Sequence, residues 1–112
     1  MAQAGKLTSS ADFRRIYAEG KRASSDALAA HVLATAEERP ARVGVTAVRG
    51  LGGAVERNLA KRRLREAVRA VRGEIREGAD VVVVATPSAL TTSFQEMVDS
   101  LRRVLAEAGG CR

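Results

Sequence analysis

The sequence predicts an α+β fold, a small mixed β-sheet of about four strands packed with three helices. Three observations carry that prediction. In residues 54–72, Ala60, Leu64, Ala67, Val68 and Val71, with Ile75 just beyond, fall on one narrow stripe at 100° per residue, the mark of a helix docked by one face. In residues 79–86 four consecutive valines stand between Gly78 and Pro87, a β-branched run that reads as a strand buried on both faces and so central in its sheet. In residues 94–108, Phe94, Met97, Val98, Leu101, Val104, Leu105 and Ala108 recur at helical spacing and make a strongly amphipathic closing helix. With no internal repeat and no linker, residues 1–112 read as one domain with an ordered core of about 7–108.

Taken in order, residues 1–8 are small and polar and are expected to fray. Ser9, Ser10 and Asp12 make a helix start, a hydroxyl cap with an acidic first turn. Phe13, Ile16 and Tyr17 then recur at i, i+3, i+4, and Gly20 is the stop. This stripe reads first as core-facing. Two aromatic side chains on so short a helix also suit a surface on which bases stack, and from the residues alone the core reading is preferred. Residues 21–25 form a polar connection with room for one further short strand. Residues 27–35 read as a strand, although their alanines blur the period, and 36–40 as a turn. In 42–48, Val43, Val45 and Ala47 alternate with Gly44 and Thr46, a second strand expected to pair with the first as an antiparallel hairpin. The turn Gly50-Leu-Gly-Gly53 opens the helix over 54–72, which ends at Gly73 or runs on to Gly78. Pro87 and Ser88 close the valine strand, Thr92 and Ser93 with Gln95 and Glu96 cap the last helix, and Gly109-Gly110 ends it.

The charge is carried by one segment. From Arg49 to Arg76 there are nine Lys/Arg against three Glu, net +6, and the rest of the chain has ten against ten, so this segment accounts for the whole formal charge of +6. Arg62, Arg65, Arg69, Arg72 and Arg76 fall opposite the aliphatic stripe, with Asn58 among them and Lys61 on the flank. Mixed signs would solvate a helix face as well and would gain i,i+4 pairs. A single-sign stripe repels itself, which points to a polyanionic partner, nucleic acid above all. A membrane surface fits less well, because the apolar stripe is narrow and lacks the Trp or Phe of an interfacial helix. A helix-turn-helix DNA reader would need a second helix at turn spacing, where a strand and a glycine turn stand instead.

Other chemistries lack their residues. No apolar run approaches the length of a membrane span, and the N-terminus has no apolar signal-peptide region, so a cytoplasmic location is expected. Cys111, the only cysteine, reads as an incidental tail thiol. His31, the only histidine, has no acidic or Cys partner at ligand spacing and reads as packed or exposed, not catalytic. Gly50-Leu-Gly-Gly-Ala-Val55 departs from the dinucleotide fingerprint at Val55. There is no Walker A pattern, no nucleophile beside a His and no cluster of carboxylates. No catalytic residue, metal site or bound cofactor is expected in the chain itself.

Against this background, Arg42-Val-Gly-Val-Thr-Ala-Val-Arg-Gly-Leu-Gly-Gly-Ala-Val-Glu-Arg-Asn-Leu-Ala-Lys-Arg-Arg-Leu-Arg-Glu-Ala67 resembles the signature of the bacterial ribonuclease P protein subunit. That family carries a strand, a Lys-Lys-x-Gly-Asn-Ala-Val turn, then x-Arg-Asn-Arg-x-Lys-Arg and a following Arg-Glu. Residues 12–20, Asp-Phe-Arg-Arg-Ile-Tyr-Ala-Glu-Gly, are similar to its Phe-x-x-x-aromatic-x-x-Gly first helix, and residues 80–85 to its last strand, so the resemblance covers about 7–108. Leu59 replaces the third residue of the Arg-Asn-Arg core, Arg49 and Gly50 stand for the paired lysines, and Gly53 for the turn asparagine.

The resemblance implies a ribosomal-protein-S5-domain-2-like fold with a left-handed βαβ crossover through the basic helix. It implies a non-catalytic subunit of an endoribonuclease whose catalytic RNA, with Mg²⁺, removes the 5′ leader of precursor tRNA. By the same resemblance Arg49, Arg57, Asn58, Lys61, Arg62, Arg65, Arg69 and Arg72 face the catalytic RNA, and Phe13, Tyr17 and His31 line a cleft for the leader. Phe13 and Tyr17 are then half-buried groove residues and not pure core. No membrane and no obligate protein partner is expected. The alternative is a ribosomal or RNA-chaperone-type module with the same basic helix and no leader groove.

Overall fold

The computed structural model of the chain describes residues 9–112; the expected fraying of residues 1–8 lies outside the described residues. The element order is α1 (Ser10–Glu19), β1 (Lys21–Ser24), β2 (Leu28–Leu33), β3 (Arg42–Ala47), α2 (Ala54–Val71), a 3-10 turn (Arg72–Glu74), β4 (Asp80–Ala85), a second 3-10 turn (Pro87–Leu90) and α3 (Phe94–Glu107). Ser9 caps α1 by accepting from the Asp12 amide, and Ser93 caps α3 by accepting from the Glu96 amide, as the hydroxyl-then-acid pattern demands. The further short strand near 22–25 is β1.

The four strands lie in the order β1-β2-β4-β3. β1 and β2 pair antiparallel, β2 and β4 pair antiparallel, and β3 and β4 pair parallel. The expected β2–β3 hairpin is therefore wrong: β4 inserts between the two strands. The physical reason is burial. A strand of four valines is apolar on both sides and gains most at the centre of the sheet, and the α2 crossover delivers it there parallel to β3.

Alternate residues of each strand serve opposite faces. On one face Leu28, Val32, Val43, Val81 and Val83 meet the aliphatic stripes of α2 and α3 in the main core. Every residue of the predicted α2 stripe is buried there, Ile75 included. On the other face α1 covers only part of the sheet. Its Ile16 meets Val82, with Phe13, Leu33 and Val84 packed around them.

Three further features differ from expectation. α2 gives way to a 3-10 turn at Arg72, so Arg76 lies beyond the helix it was expected to decorate. Phe94, the first residue of α3, is exposed while Met97, Val98, Leu101, Val104 and Leu105 of the same stripe are buried. The ordered chain runs past residue 108: Ile75 forms a β-bridge with Cys111, the Arg76 amide donates to Gly110 and the Arg112 amide to Glu74. Burial, and then the nearby Glu74 carboxylate, push the Cys111 thiol up from its ordinary pKa. Among the described residues no helix is long and apolar enough to cross a membrane.

Candidate nucleic-acid interface

The sheet divides the candidate residues between two surfaces. The first is the outer face of α2. The helix starts after a turn in which Gly50 (φ 78°) and Gly52 (φ 135°) occupy the left-handed region that other residues avoid. The Gly53 amide donates to the Glu56 carboxylate at 2.9 Å, which satisfies an otherwise open donor at the helix start. From there Asn58, Arg62, Arg65 and Arg69 stand exposed, Lys61 is partly buried on the flank, and Arg49 is exposed in the preceding turn. Arg62 is only loosely paired, 3.8 Å from Glu66. Leu59, 44% exposed, interrupts the cationic surface with an apolar side chain that has no place in the core.

Not every arginine of the segment faces outward. Arg57 folds back on the end of β3, its guanidinium donating to the carbonyls of Val48 at 2.7 Å and Ala47 at 3.3 Å. Arg72, within the 3-10 turn, reaches the Ala41 carbonyl at 3.5 Å, and burial lowers the pKa of its guanidinium. Arg63 had no assigned role. It ties α2 to the start of α3, donating to the Leu90 carbonyl at 2.8 Å and to the Thr92 carbonyl. Helical spacing identifies the side of α2 an arginine leaves from, but not the loop carbonyl its long side chain then finds.

The second surface is the sheet face under α1. Register places Arg22, His31, Val82 and Gly44 in one row across the four strands, and Ser24, Ala29, Val84 and Thr46 in the next. His31, Val84 and Thr46 remain partly exposed on this face. Above them α1 presents its stripe unevenly: Ile16 is fully buried, Phe13 is partly buried, and Tyr17 is 44% exposed. The Tyr17 and His31 rings meet edge to face with centroids 4.6 Å apart. Burial raises the Tyr17 hydroxyl from its ordinary pKa, and burial together with the Arg22 charge lowers that of His31, so the imidazole is neutral at pH 7. The three residues assigned to a leader cleft thus share one face, where an aromatic ring and an imidazole stay open to solvent.

At one end of this face lies a group that sequence reasoning missed. Asp80, the first residue of β4, is wholly buried and receives three guanidiniums. Arg42, its register partner on β3, binds bidentately at 2.9 and 2.8 Å, Arg15 of α1 donates at 3.1 Å, and Arg39 lies 3.0 Å away as an ion pair. Burial alone would push the Asp80 carboxyl up, but the hydrogen bond from Arg42 and the charges of Arg39 and Arg42 outweigh it and hold the group below the usual carboxylate range. The signal was an acid and a base each opening a strand; reading it required the parallel β3–β4 pairing. Among the described residues no three His, Cys, Asp or Glu side chains gather where they could hold a metal ion.

Comparison with known proteins agrees with this architecture. The family model described as Ribonuclease P matches residues 1–109. The chain is 41% identical over 109 residues to the ribonuclease P protein component of Symbiobacterium thermophilum, covering 97% of this chain and 95% of that protein. It is 37% identical over 108 residues to the corresponding protein of Gluconacetobacter diazotrophicus, covering 96% and 93%. Among solved structures, the Staphylococcus aureus RNase P protein superposes with a TM-score of 0.81 at 28% identity, covering 98% of this chain and all of that one. The Thermotoga maritima RNase P protein gives a TM-score of 0.75 at 26% identity, covering 88% and 92%. A family model matched over residues 1–109, with relatives 37–41% identical along nearly the whole of both chains, places the chain in the ribonuclease P protein family.

Proposed function

We propose that the chain binds the catalytic RNA of ribonuclease P through the exposed face of α2 and holds the 5′ leader of precursor tRNA in the groove between α1 and the sheet. The observation that carries the reading is Tyr17. It leaves the inward stripe of α1, stays nearly half exposed, and stands edge to face on His31 above an open sheet face. A pure core residue would not be left there. A solvent-exposed ring beside an imidazole suits bases of any identity, because every base has a π-face.

In this reading the two surfaces do different work. Arg62, Arg65 and Arg69, with Arg49, Asn58 and Lys61 around them, neutralise crowded phosphates of the catalytic RNA and release its counterions. Phe13, Tyr17 and His31 grip a single strand by stacking. Arg57 and Arg72 support this surface from within, by holding the ends of α2 to neighbouring carbonyls. Mg²⁺ is expected to act in the assembled particle as the charge-stabilising ion of phosphodiester cleavage. This chain's carboxylates do not fit such an ion: Asp80 is occupied by guanidiniums, and among the described residues no three acids gather where they could hold a metal. The chain's contribution is binding and orientation.

The test is reconstitution. Purified protein added to its cognate catalytic RNA at limiting Mg²⁺ should restore 5′ cleavage of precursor tRNA, and the protein without RNA should cut nothing. Robust cleavage by the RNA-free protein would contradict the proposal.

A further inference from the structure

We infer that Asp80 is a positioning residue for the groove: acting through Arg15, it fixes the roll of α1 and so the placement of Tyr17 over His31. This rests on the groove reading above. Asp80 is the one buried charged side chain among the described residues, and a buried carboxylate must be paired. The pairing with Arg42 is already complete within the sheet, bidentate and at register. The contact from Arg15 is therefore surplus to neutralising Asp80. What it does is connect α1 to the strand below.

α1 has few other holds. Ile16 is its only fully buried side chain. Its end is pressed against β2 at Gly20, where a Cβ would come within 2.6 Å of the Ile16 carbonyl oxygen and 2.8 Å of the Val32 carbonyl oxygen. Ile16 and Gly20 lie close to one line along the helix, and Phe13 packs on the Tyr17 side of that line, so the apolar contacts alone leave the Arg15 side unheld. Arg15 and Tyr17 flank Ile16 in sequence, and on a helix they point about 100° to either side of it. A tie at Arg15 on one side and the Tyr17–His31 contact on the other block that roll in both directions. Asp12 lies on the Arg15 side and joins the same cluster, 4.0 Å from Arg15 and 3.8 Å from Arg42. With Asp12 and Glu37 counted against Arg15, Arg39 and Arg42, the cluster around Asp80 is neutral, which suits a latch better than a phosphate site.

Arg15→Met tests the inference, because it keeps the aliphatic stem, removes the hydrogen-bonded tie, leaves only the looser 3.8 Å Asp12–Arg42 pair on that side of α1, and keeps Asp80 paired with Arg42 and Arg39. His31 is the only histidine, so its imidazole C–H signals in untagged protein report the Tyr17 ring directly. The expected result is a His31 shift moved toward its Tyr17→Ala value. In reconstituted holoenzyme, precursor tRNA affinity should fall about fivefold, the low end of one stacking contact, with mature tRNA affinity unchanged. The salt dependence should keep its slope, whereas a lost phosphate contact would flatten it by about 0.7–0.9. A flattened slope makes Arg15 a phosphate contact and overturns the inference. An unmoved His31 signal overturns it as well. So does unchanged precursor affinity in Arg15→Met when Tyr17→Ala weakens it. If Tyr17→Ala itself leaves precursor affinity intact, the groove reading fails, and the His31 signal still decides whether Arg15 places Tyr17.

Discussion

At the scale of single residues, neighbouring positions on one helix have different duties. Ile16 closes the small core under α1, Phe13 shares in it, and Tyr17 stands at its edge. Phe13→Ala should therefore cost less than the roughly 3–5 kcal/mol of a fully buried Phe, with part of its effect appearing in precursor affinity instead. Thermal or denaturant unfolding beside a precursor-binding assay separates the two. Leu64, wholly buried where α2 meets the main core, has no such double role. Leu64→Asp puts a carboxylate into that core without a partner and should unfold the protein, as loss of the cooperative unfolding transition would show. His31 makes the stability of this face depend on pH. Its folded pKa lies below the usual 6.5, mainly through burial and further through Arg22. Its contribution to stability is present above pH 6.5 and is lost as pH falls through the folded value, since the unfolded chain takes up the proton first. An NMR titration of the His31 ring in free protein should give a midpoint below 6.5.

At the scale of elements, α2 was the most legible part of the molecule. Its aliphatic stripe from Ala60 to Val71 is buried without exception, because a helix that docks by one face must repeat at 3.6 residues. The cationic side followed from the same wheel for Arg62, Arg65 and Arg69. It failed to give the fates of Arg57, Arg63 and Arg72, whose partners are carbonyls of distant loops and strand ends. Strand pairing was the larger gap. Local alternation identifies β2 and β3 but carries nothing about which strand lies between them. That is settled by the burial of β4 on both faces and by the Arg42–Asp80 match at register. The groove reading rests on resemblance alone at the level of sequence, since periodicity assigns Tyr17 to the core. Replacing Arg62, Arg65 or Arg69 singly with Ala should leave the fold intact and flatten the slope of log K against log salt for catalytic RNA by up to about one. Unchanged slopes in all three would mean that the face meets only solvent.

At the scale of the whole molecule, one face of the sheet is sealed by α2 and α3 and the other is only partly covered by α1. The sealed side gives the stability that a 112-residue chain rich in alanine needs, and its outer helix carries the charge. The open side leaves Tyr17 exposed in edge-to-face contact with His31. The proposed function needs both: one RNA held by salt-sensitive phosphate contacts, the other by stacking that tolerates any sequence. The most direct measurement is a pair of affinities for holoenzyme reconstituted with Tyr17→Ala, one for precursor tRNA with a leader of several nucleotides and one for mature tRNA. Precursor binding should weaken by about 1–3 kcal/mol, the value of one stacked base, while mature tRNA binding stays unchanged. Equal weakening of both, or of neither, would contradict the groove and return Tyr17 to the core.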